Sequence, residues 1–273
     1  MTDRYAVIGN PIGHSKSPLI HGTFATNTGQ DLEYIAIEGP LDGFAAAVRT
    51  FCADGGRGMN VTAPFKLQAF EIANERRPRA QLAGAANALK FEGDCITADN
   101  FDGVGLVNDI QRNLGFALTG KRVLLLGAGG AVRGALLPFL AQKPAELVMA
   151  NRTVEKAVAL AREVAAHGLV VGCGYRDVDH QVFDIVVNAT SASLRGELPP
   201  VAPNVFGSNA FAYELVYGKG LTPFLRLAQN AGVKRLADGV GMLVEQAAEA
   251  FVWWRGVRPD TKPLIDMLTV PLT

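Results

Sequence analysis

Lys121-Arg122-Val123-Leu124-Leu125-Leu126-Gly127-Ala128-Gly129-Gly130-Ala131 is the most informative stretch of this chain. Val123–Leu126 is an unbroken apolar run, as expected of a strand buried on both faces in a parallel sheet. Glycines follow at once, and Val132–Leu140 then reads as a helix. In such a strand–turn–helix, Gly127 makes the tight turn and Gly129 lets backbone N–H groups approach a pyrophosphate. The helix N-terminus then faces the negative charge. The pattern is G-x-G-G-A, with Val132 at the third position of G-x-G-x-x-G, so a glycine turn without a ligand is the competing reading. The next strand, Leu147–Ala150, ends in Asn151-Arg152-Thr153, where an NAD site would carry an acid. An arginine there suits a 2′-phosphate, at roughly 1.5–3 kcal/mol per charge-assisted hydrogen bond. NADP is favoured over NAD, against a solvated loop arginine.

Outward from this turn, short apolar runs alternate with amphipathic stretches. Upstream, strands are expected at Tyr5–Ile8, Tyr34–Ile37 and Met59–Val61, with helices at Ser17–Asn27, Asp42–Ala53 and Phe65–Asn74. A hairpin is expected from Ala86–Phe91 and Ile96–Ala98. A helix from Asp102-Gly103 to Leu114 joins the halves. Downstream, strands are expected at Leu169–Val171, Ile185–Val187, Ala210–Leu215 and Arg235–Leu236. Helices are expected at Val154–Ala166, Thr222–Ala231, Met242–Trp254 and Pro263–Leu268. Repeated βα units define an α/β protein. Its expected architecture is an N-terminal α/β domain followed by a Rossmann-like doubly wound domain, with a boundary near residue 103.

Composition narrows the classes. The 273 residues are 49% hydrophobic and 19% charged, and 26 Lys+Arg balance 26 Asp+Glu. That excludes general disorder and gives no basic excess for nucleic acid. Cys52, Cys95 and Cys173 are odd in number and widely spaced, so reduced, buried thiols in a cytoplasmic protein are expected. The four histidines show no metal-ligand spacing, and no metal is expected. Met1–Gly9 is too short and polar for a signal peptide, and no apolar run approaches the roughly 18 residues of a membrane span. Gly115–Lys121 mimics a phosphate-binding loop, but Arg122 replaces the required hydroxyl and a strand follows. Trp253 and Trp254 are candidates either for a homodimer interface or for core packing.

The front half carries polar residues at element ends. Ser15 and Ser17 precede Pro18, which places Ser17 as a helix N-cap, and two hydroxyls there can hold a small carboxylate. Thr62 and Lys66 lie in Asn60–Lys66, Asn87 follows Ala83–Ala86, and Asp102 ends Asp99-Asn100-Phe101-Asp102. Singly, each has an ordinary structural explanation as a cap, a turn or a solvated side chain.

Together these segments resemble the shikimate dehydrogenase family. The matching stretches are Gly13–Pro18, Asn60–Lys66, Asp99–Gly105, Gly127–Ala131, Asn151–Thr153, Asn188–Ser191 and Ala237–Gln246. They lie in family order across nearly the whole chain. The resemblance implies NADP-dependent interconversion of 3-dehydroshikimate and shikimate, in aromatic amino-acid biosynthesis. It implies a substrate-binding and catalytic domain of residues 1–102 plus 238–273, and an NADP-binding domain of residues 103–237. By matching position, Lys66 and Asp102 would be the catalytic pair. Ser15, Ser17, Thr62, Asn87, Asp102, Tyr217 and Gln246 would bind substrate. Gly127, Ala128, Gly129, Gly130 and Ala131 would hold the pyrophosphate, and Asn151, Arg152 and Thr153 the adenosine phosphate. Thr190, Leu215, Gly239 and Met242 would lie nearer the ribose and nicotinamide.

Three positions depart from the family pattern. Phe101 stands where D-N-T-D-G has threonine, so substrate contacts beside Asp102 are expected to change. Leu215 replaces a frequent methionine, an apolar exchange. Pro78 falls where some members carry an acid, and no role is carried over there. The chemistry expected is proton transfer by Lys66, positioned by Asp102, alongside hydride transfer from NADPH. A quinate/shikimate dehydrogenase or a paralogue with relaxed substrate or NAD use is the nearest alternative. A non-catalytic NADP-binding sensor is the remote one.

Overall fold

A computed structural model describes residues 2–272. Strands β1 (Asp3–Gly9), β2 (Leu32–Glu38) and β3 (Gly56–Val61) are separated by helices α1 (Ser17–Thr28) and α2 (Phe44–Ala53). Then come α3 (Lys66–Ile72), the two-residue β4 (Glu75–Arg76), α4 (Pro78–Ala83), β5 (Ala88–Glu92), β6 (Cys95–Asp99) and α5 (Asp102–Asn108). The sheet order is β2-β1-β3-β5-β6-β4. Helical crossovers let β1 run parallel to β2 and β3, whereas the Gly93-Asp94 turn forces β5 and β6 antiparallel. Phe44, Val48 and Phe51 recur at helical spacing along α2 and bury against Ile8, Met59 and Leu89. Each such side chain contributes about 1.5–3 kcal/mol of burial.

The second sheet is built from β7 (Arg122–Leu126), β8 (Glu146–Ala150), β9 (Val170–Cys173), β10 (Phe183–Asn188), β11 (Phe206–Glu214) and β12 (Arg235–Ala237). Helices α6 (Gly130–Leu140), α7 (Val154–Val164) and α8 (Pro223–Asn230) connect them. The order is β12-β11-β10-β7-β8-β9, and every pairing is parallel. The winding reverses between β7 and β10, the switch point outside which such sheets bind ligands. Helices α9 (Val240–Arg255) and α10 (Lys262–Leu268) complete the chain.

Two compact units result. One runs up to Gly105 and includes Val244–Leu264; the other is Leu106–Leu243 with the segment from Ile265 onward. The sequence reading differs at the edges. It assigned all of 238–273 to the first unit, but the final segment goes with the second, where Leu272 packs against that core. It missed β4 and α4, which are too short to show a period. It also expected one helix to Leu114. From Asp109 to Asn113 the chain is instead π-helical, with the Asp109 side chain buried beneath the Tyr213 hydroxyl (2.7 Å). Trp254 stacks on Tyr5 and donates to Leu89 O, and Trp253 packs on Phe101. Both indoles therefore pack within the first unit. The three cysteines are free, as expected, and half-buried, where buried thiols were expected. No helix among the described residues is long and apolar enough to cross a membrane, and no described His/Cys/Asp/Glu cluster could hold a metal.

Candidate active site

In the first unit the polar residues converge at the ends of strands. Lys66 opens α3 and Asp102 opens α5. Lys66 Nζ donates to Asp102 Oδ2 at 2.6 Å, and Asn87 Nδ2 donates to Asp102 Oδ1 at 2.8 Å. The same amide reaches Gln246 Oε1 at 3.1 Å, while Asn87 Oδ1 accepts the Phe101 N–H at 2.9 Å. Gln246 arrives from α9 because Gly105 leaves room: a Cβ there would lie 2.6 Å from Gln246 N. Both carboxylate oxygens are thus engaged and their direction is set. Partial exposure makes the ion pair worth little for stability. What it provides is a fixed amine and a fixed carboxylate at one place.

Ser15 and Ser17 stand at the start of α1, but the cap differs from the expected one. Ser17 is the first helical residue, and Ser15 Oγ accepts its N–H at 3.3 Å. Ser17 hydrogen-bonds with the Tyr34 phenol, whose own hydroxyl donates to Asn60 Oδ1 at 2.7 Å. Asn60 Nδ2 continues to Asn87 O at 3.2 Å. Tyr34 and Asn60 therefore tie the serine end to the Asn87 end, a link the sequence analysis missed. Asn60 begins the Asn60–Lys66 stretch, but nothing in the sequence pairs it with Tyr34. Thr62 is half-buried in the turn before α3, where its carbonyl accepts the Phe65 N–H. Phe101, expected to alter substrate contacts, turns its ring into the core between Ala88, Ala250 and Trp253. Tyr217 belongs to the second unit, in the loop after β11, and is exposed.

The second unit presents backbone. Gly127 adopts φ +115°, a conformation side chains resist, and its N–H donates to Ala150 O at 2.8 Å. Gly129 caps α6 in extended conformation, and a Cβ on Gly129 or Gly130 would meet nothing within 4 Å. With half-buried Ala128 and Ala131 they leave an open cradle at a helix N-terminus, which fits a pyrophosphate. Asn151 Nδ2 donates to Thr153 O at 2.8 Å, shaping the turn that carries Arg152. Asn151, Arg152, Tyr175 and Arg176 line a cavity of about 680 Å³. Burial pushes the Tyr175 phenol up, opposed by nearby Arg152. This donor set, two guanidiniums beside an open glycine turn, fits a phosphorylated dinucleotide.

A buried carboxylate organises the far side of this cradle. Glu214 Oε2 accepts from Asn188 Nδ2 (2.9 Å), Ser193 Oγ (2.5 Å) and Thr222 Oγ1 (3.1 Å), and Oε1 accepts from Val216 N (3.2 Å). Burial nevertheless raises its pKa above the ordinary carboxylate range. Asn188 Oδ1 in turn holds the Thr190 hydroxyl at 2.8 Å, and Leu215 N donates to Asn188 O. Gly239 packs against the Leu215 carbonyl, and the Met242 backbone hydrogen-bonds to Tyr213.

A doubly wound unit with an open glycine turn, in one chain with an α/β unit bearing a Lys–Asp pair, defines a dinucleotide-dependent oxidoreductase. Comparison narrows the class. The shikimate dehydrogenase substrate binding domain matches residues 7–89, the shikimate / quinate 5-dehydrogenase family residues 109–195, and the shikimate 5′-dehydrogenase C-terminal domain residues 239–266. The shikimate dehydrogenase (NADP(+)) of Nitrosospira multiformis is 56% identical over 268 residues, 98% of each chain. The crystal structure of an Ael1 enzyme from Pseudomonas putida is 65% identical over 100% of both chains, with a TM-score of 0.97. Shikimate 5-dehydrogenase from Thermus thermophilus, solved with NADP(H) and shikimate, is 30% identical over 97% of this chain and 98% of that one, with a TM-score of 0.83. The chain belongs to the shikimate dehydrogenase family.

Proposed function

We propose that this protein reduces 3-dehydroshikimate to shikimate, reversibly, with NADPH, and that Lys66 and Asp102 are its catalytic pair. The observation that carries this reading is the 2.6 Å contact between Lys66 Nζ and Asp102 Oδ2, anchored by Asn87 and Gln246. NADPH, when bound, supplies the hydride that the carbonyl carbon receives. The Lys66 ammonium gives the proton to the carbonyl oxygen, and in the oxidative direction the neutral amine takes it back. Asp102 holds Nζ and accepts a hydrogen bond from the reacting hydroxyl. Ser15 and Ser17 bind the substrate carboxylate. Thr62, Asn87, Gln246 and Tyr217 bind ring hydroxyls, whose directionality needs fixed polar partners.

The residues toward the cofactor follow the same logic. Gly127–Ala131 hold the pyrophosphate on backbone N–H groups, Asn151, Arg152 and Thr153 hold the 2′-phosphate, and Thr190, Leu215, Gly239 and Met242 border ribose and nicotinamide. The front unit with the returning C-terminal helix is the substrate-binding and catalytic domain, and the doubly wound unit binds NADP. The three free thiols support a cytoplasmic location, and a homodimer is the assembly to test.

The test is absorbance at the nicotinamide band, with shikimate and quinate each offered with NADP and with NAD. Shikimate with NADP should be fastest by at least about tenfold in kcat/KM. Comparable turnover of quinate, or with NAD, would replace this reading with the relaxed-specificity one. Binding of NADPH without its oxidation by 3-dehydroshikimate would leave only a sensor.

A further inference from the structure

Arg79, near the start of α4, has no part in the roles assigned above. Its guanidinium spans both oxygens of Asp99, with Nε to Oδ1 at 3.1 Å and Nη2 to Oδ2 at 2.5 Å. Asp99 ends β6 and is 1% exposed, and a carboxylate so buried needs a charged partner. The same Arg79 guanidinium lies 5.0 Å from the centre of the Phe101 ring, which Trp253 meets edge-on at 5.6 Å.

These contacts bracket the turn that delivers Asp102. Between β6 and α5, the N–H groups of the turn are met by side-chain oxygens. Asn100 N donates to Asp99 Oδ1 (2.8 Å), Phe101 N to Asn87 Oδ1 (2.9 Å), and Asp102 N to Asn100 Oδ1 (3.1 Å). Asn100 Nδ2 is itself tied to Ala85 O at 3.1 Å. The position of the Asp102 carboxylate is therefore set by side chains. Arg79 grips two of the residues that set it, one by a two-pronged ion pair and one by its flat face.

We propose that Arg79 is a positioning residue for Asp102, acting through Asp99 and the Phe101 ring. Phe101, in place of the family's threonine, supplies the surface on which the guanidinium lies. The role requires arginine, because a lysine ammonium cannot bridge two carboxylate oxygens and stack on a ring at once. The inference rests on the reading of Lys66 and Asp102 as the catalytic pair.

The test is steady-state shikimate oxidation by the full-length enzyme. Arg79→Gln should lower kcat by about tenfold or more while KM for NADP stays within about twofold. Arg79→Lys, which restores charge but not the fork, should fall between. In an Asp102→Ala background no carboxylate remains to be placed, so Arg79→Gln should change kcat by less than about twofold. A general structural defect would instead multiply through both backgrounds. An equal loss in the two backgrounds overturns the proposal, as does an Arg79→Gln enzyme with wild-type kcat. If Arg79→Gln does not fold, Arg79→Lys carries the same comparison. Wild-type kcat in Asp102→Ala alone would sink the catalytic-pair reading and Arg79's role with it. Loss there without loss at Arg79→Gln overturns only the latter.

Discussion

In the first unit, Lys66, Asp102, Asn87 and Gln246 hold one another through side-chain hydrogen bonds of 2.6 to 3.1 Å. In the second, Gly127, Gly129 and Gly130 offer backbone and open space, and exposed Arg152 stands on a loop. A small polyhydroxylated ring has few atoms, so discrimination needs directional side chains locked before it arrives. A dinucleotide is long and charged, and a helix N-terminus with a cation or two is enough to hold it. The front unit is expected to fail in kcat when altered and the rear unit in cofactor KM.

The largest break should come from Lys66→Ala, expected to lower kcat roughly 10²–10⁴-fold with a small change in KM for shikimate. Initial-rate kinetics checks this, and a loss below about tenfold would place the proton donor elsewhere. Arg152→Ala should raise KM for NADP about 10–100-fold and leave NAD within about twofold, since only the 2′-phosphate is lost. Parallel titrations with both cofactors read this directly, and equal losses would count against the phosphate role.

The glycines separate folding from binding within the rear unit. Gly127→Ala forces a side chain to φ +115° and should cost about 1–3 kcal/mol. That lowers the melting temperature by roughly 2–4 °C per kcal/mol. Gly129→Ala meets no neighbour, so its melting curve should stay put while NADP binding weakens. Calorimetry beside fluorescence titration distinguishes the two, and a shared stability loss would refute the cradle.

The smallest effect contrasts the two cores in acid. Fully buried His21 stacks on Tyr34, and burial lowers its pKa from 6.5 to about 3. The unfolded chain therefore binds this proton first, and stability falls as pH drops from about 6.5 toward 3. At pH 5 the penalty is about 2 kcal/mol. Glu214 has a raised pKa, so the folded state binds its proton first, and its contribution fades as pH rises above the ordinary carboxylate range. Protection factors of β1 amides, corrected for the intrinsic exchange rate at each pH, should thus fall on acidification, while those of β11 amides rise. His21→Phe should abolish the first trend and Glu214→Gln the second. A common sign in both strands, unchanged by either variant, would dissolve the contrast.

Much of this was legible from local pattern. The unbroken Val123–Leu126 run is a buried parallel strand, and the glycines after it form the expected turn. The Gly93-Asp94 hairpin also stands where expected. These features are short-range, since apolar periodicity and turn chemistry act within a few residues. Partnerships were harder. Nothing near Phe101 says whether it faces ligand or core. That depends on Trp253, about 150 residues along the chain, and on Arg79, in a helix too short for the sequence to reveal. The π turn at Asp109 was likewise hidden, and the Tyr213 hydroxyl that its side chain meets lies on a distant strand.

The sequence by itself determined the α/β class, the succession of most strands and helices along the chain, and which residues carry hydroxyls, amines and carboxyls at strand ends. Backbone preference and side-chain chemistry travel with each residue and need no partner. Only the tertiary structure decided that Asn87 would serve Asp102, Phe101 and Gln246 together, and that Phe101 would turn inward. Those outcomes depend on hydrogen-bond distances between residues far apart in the chain, and such distances exist only once the sheet has brought its strand ends side by side.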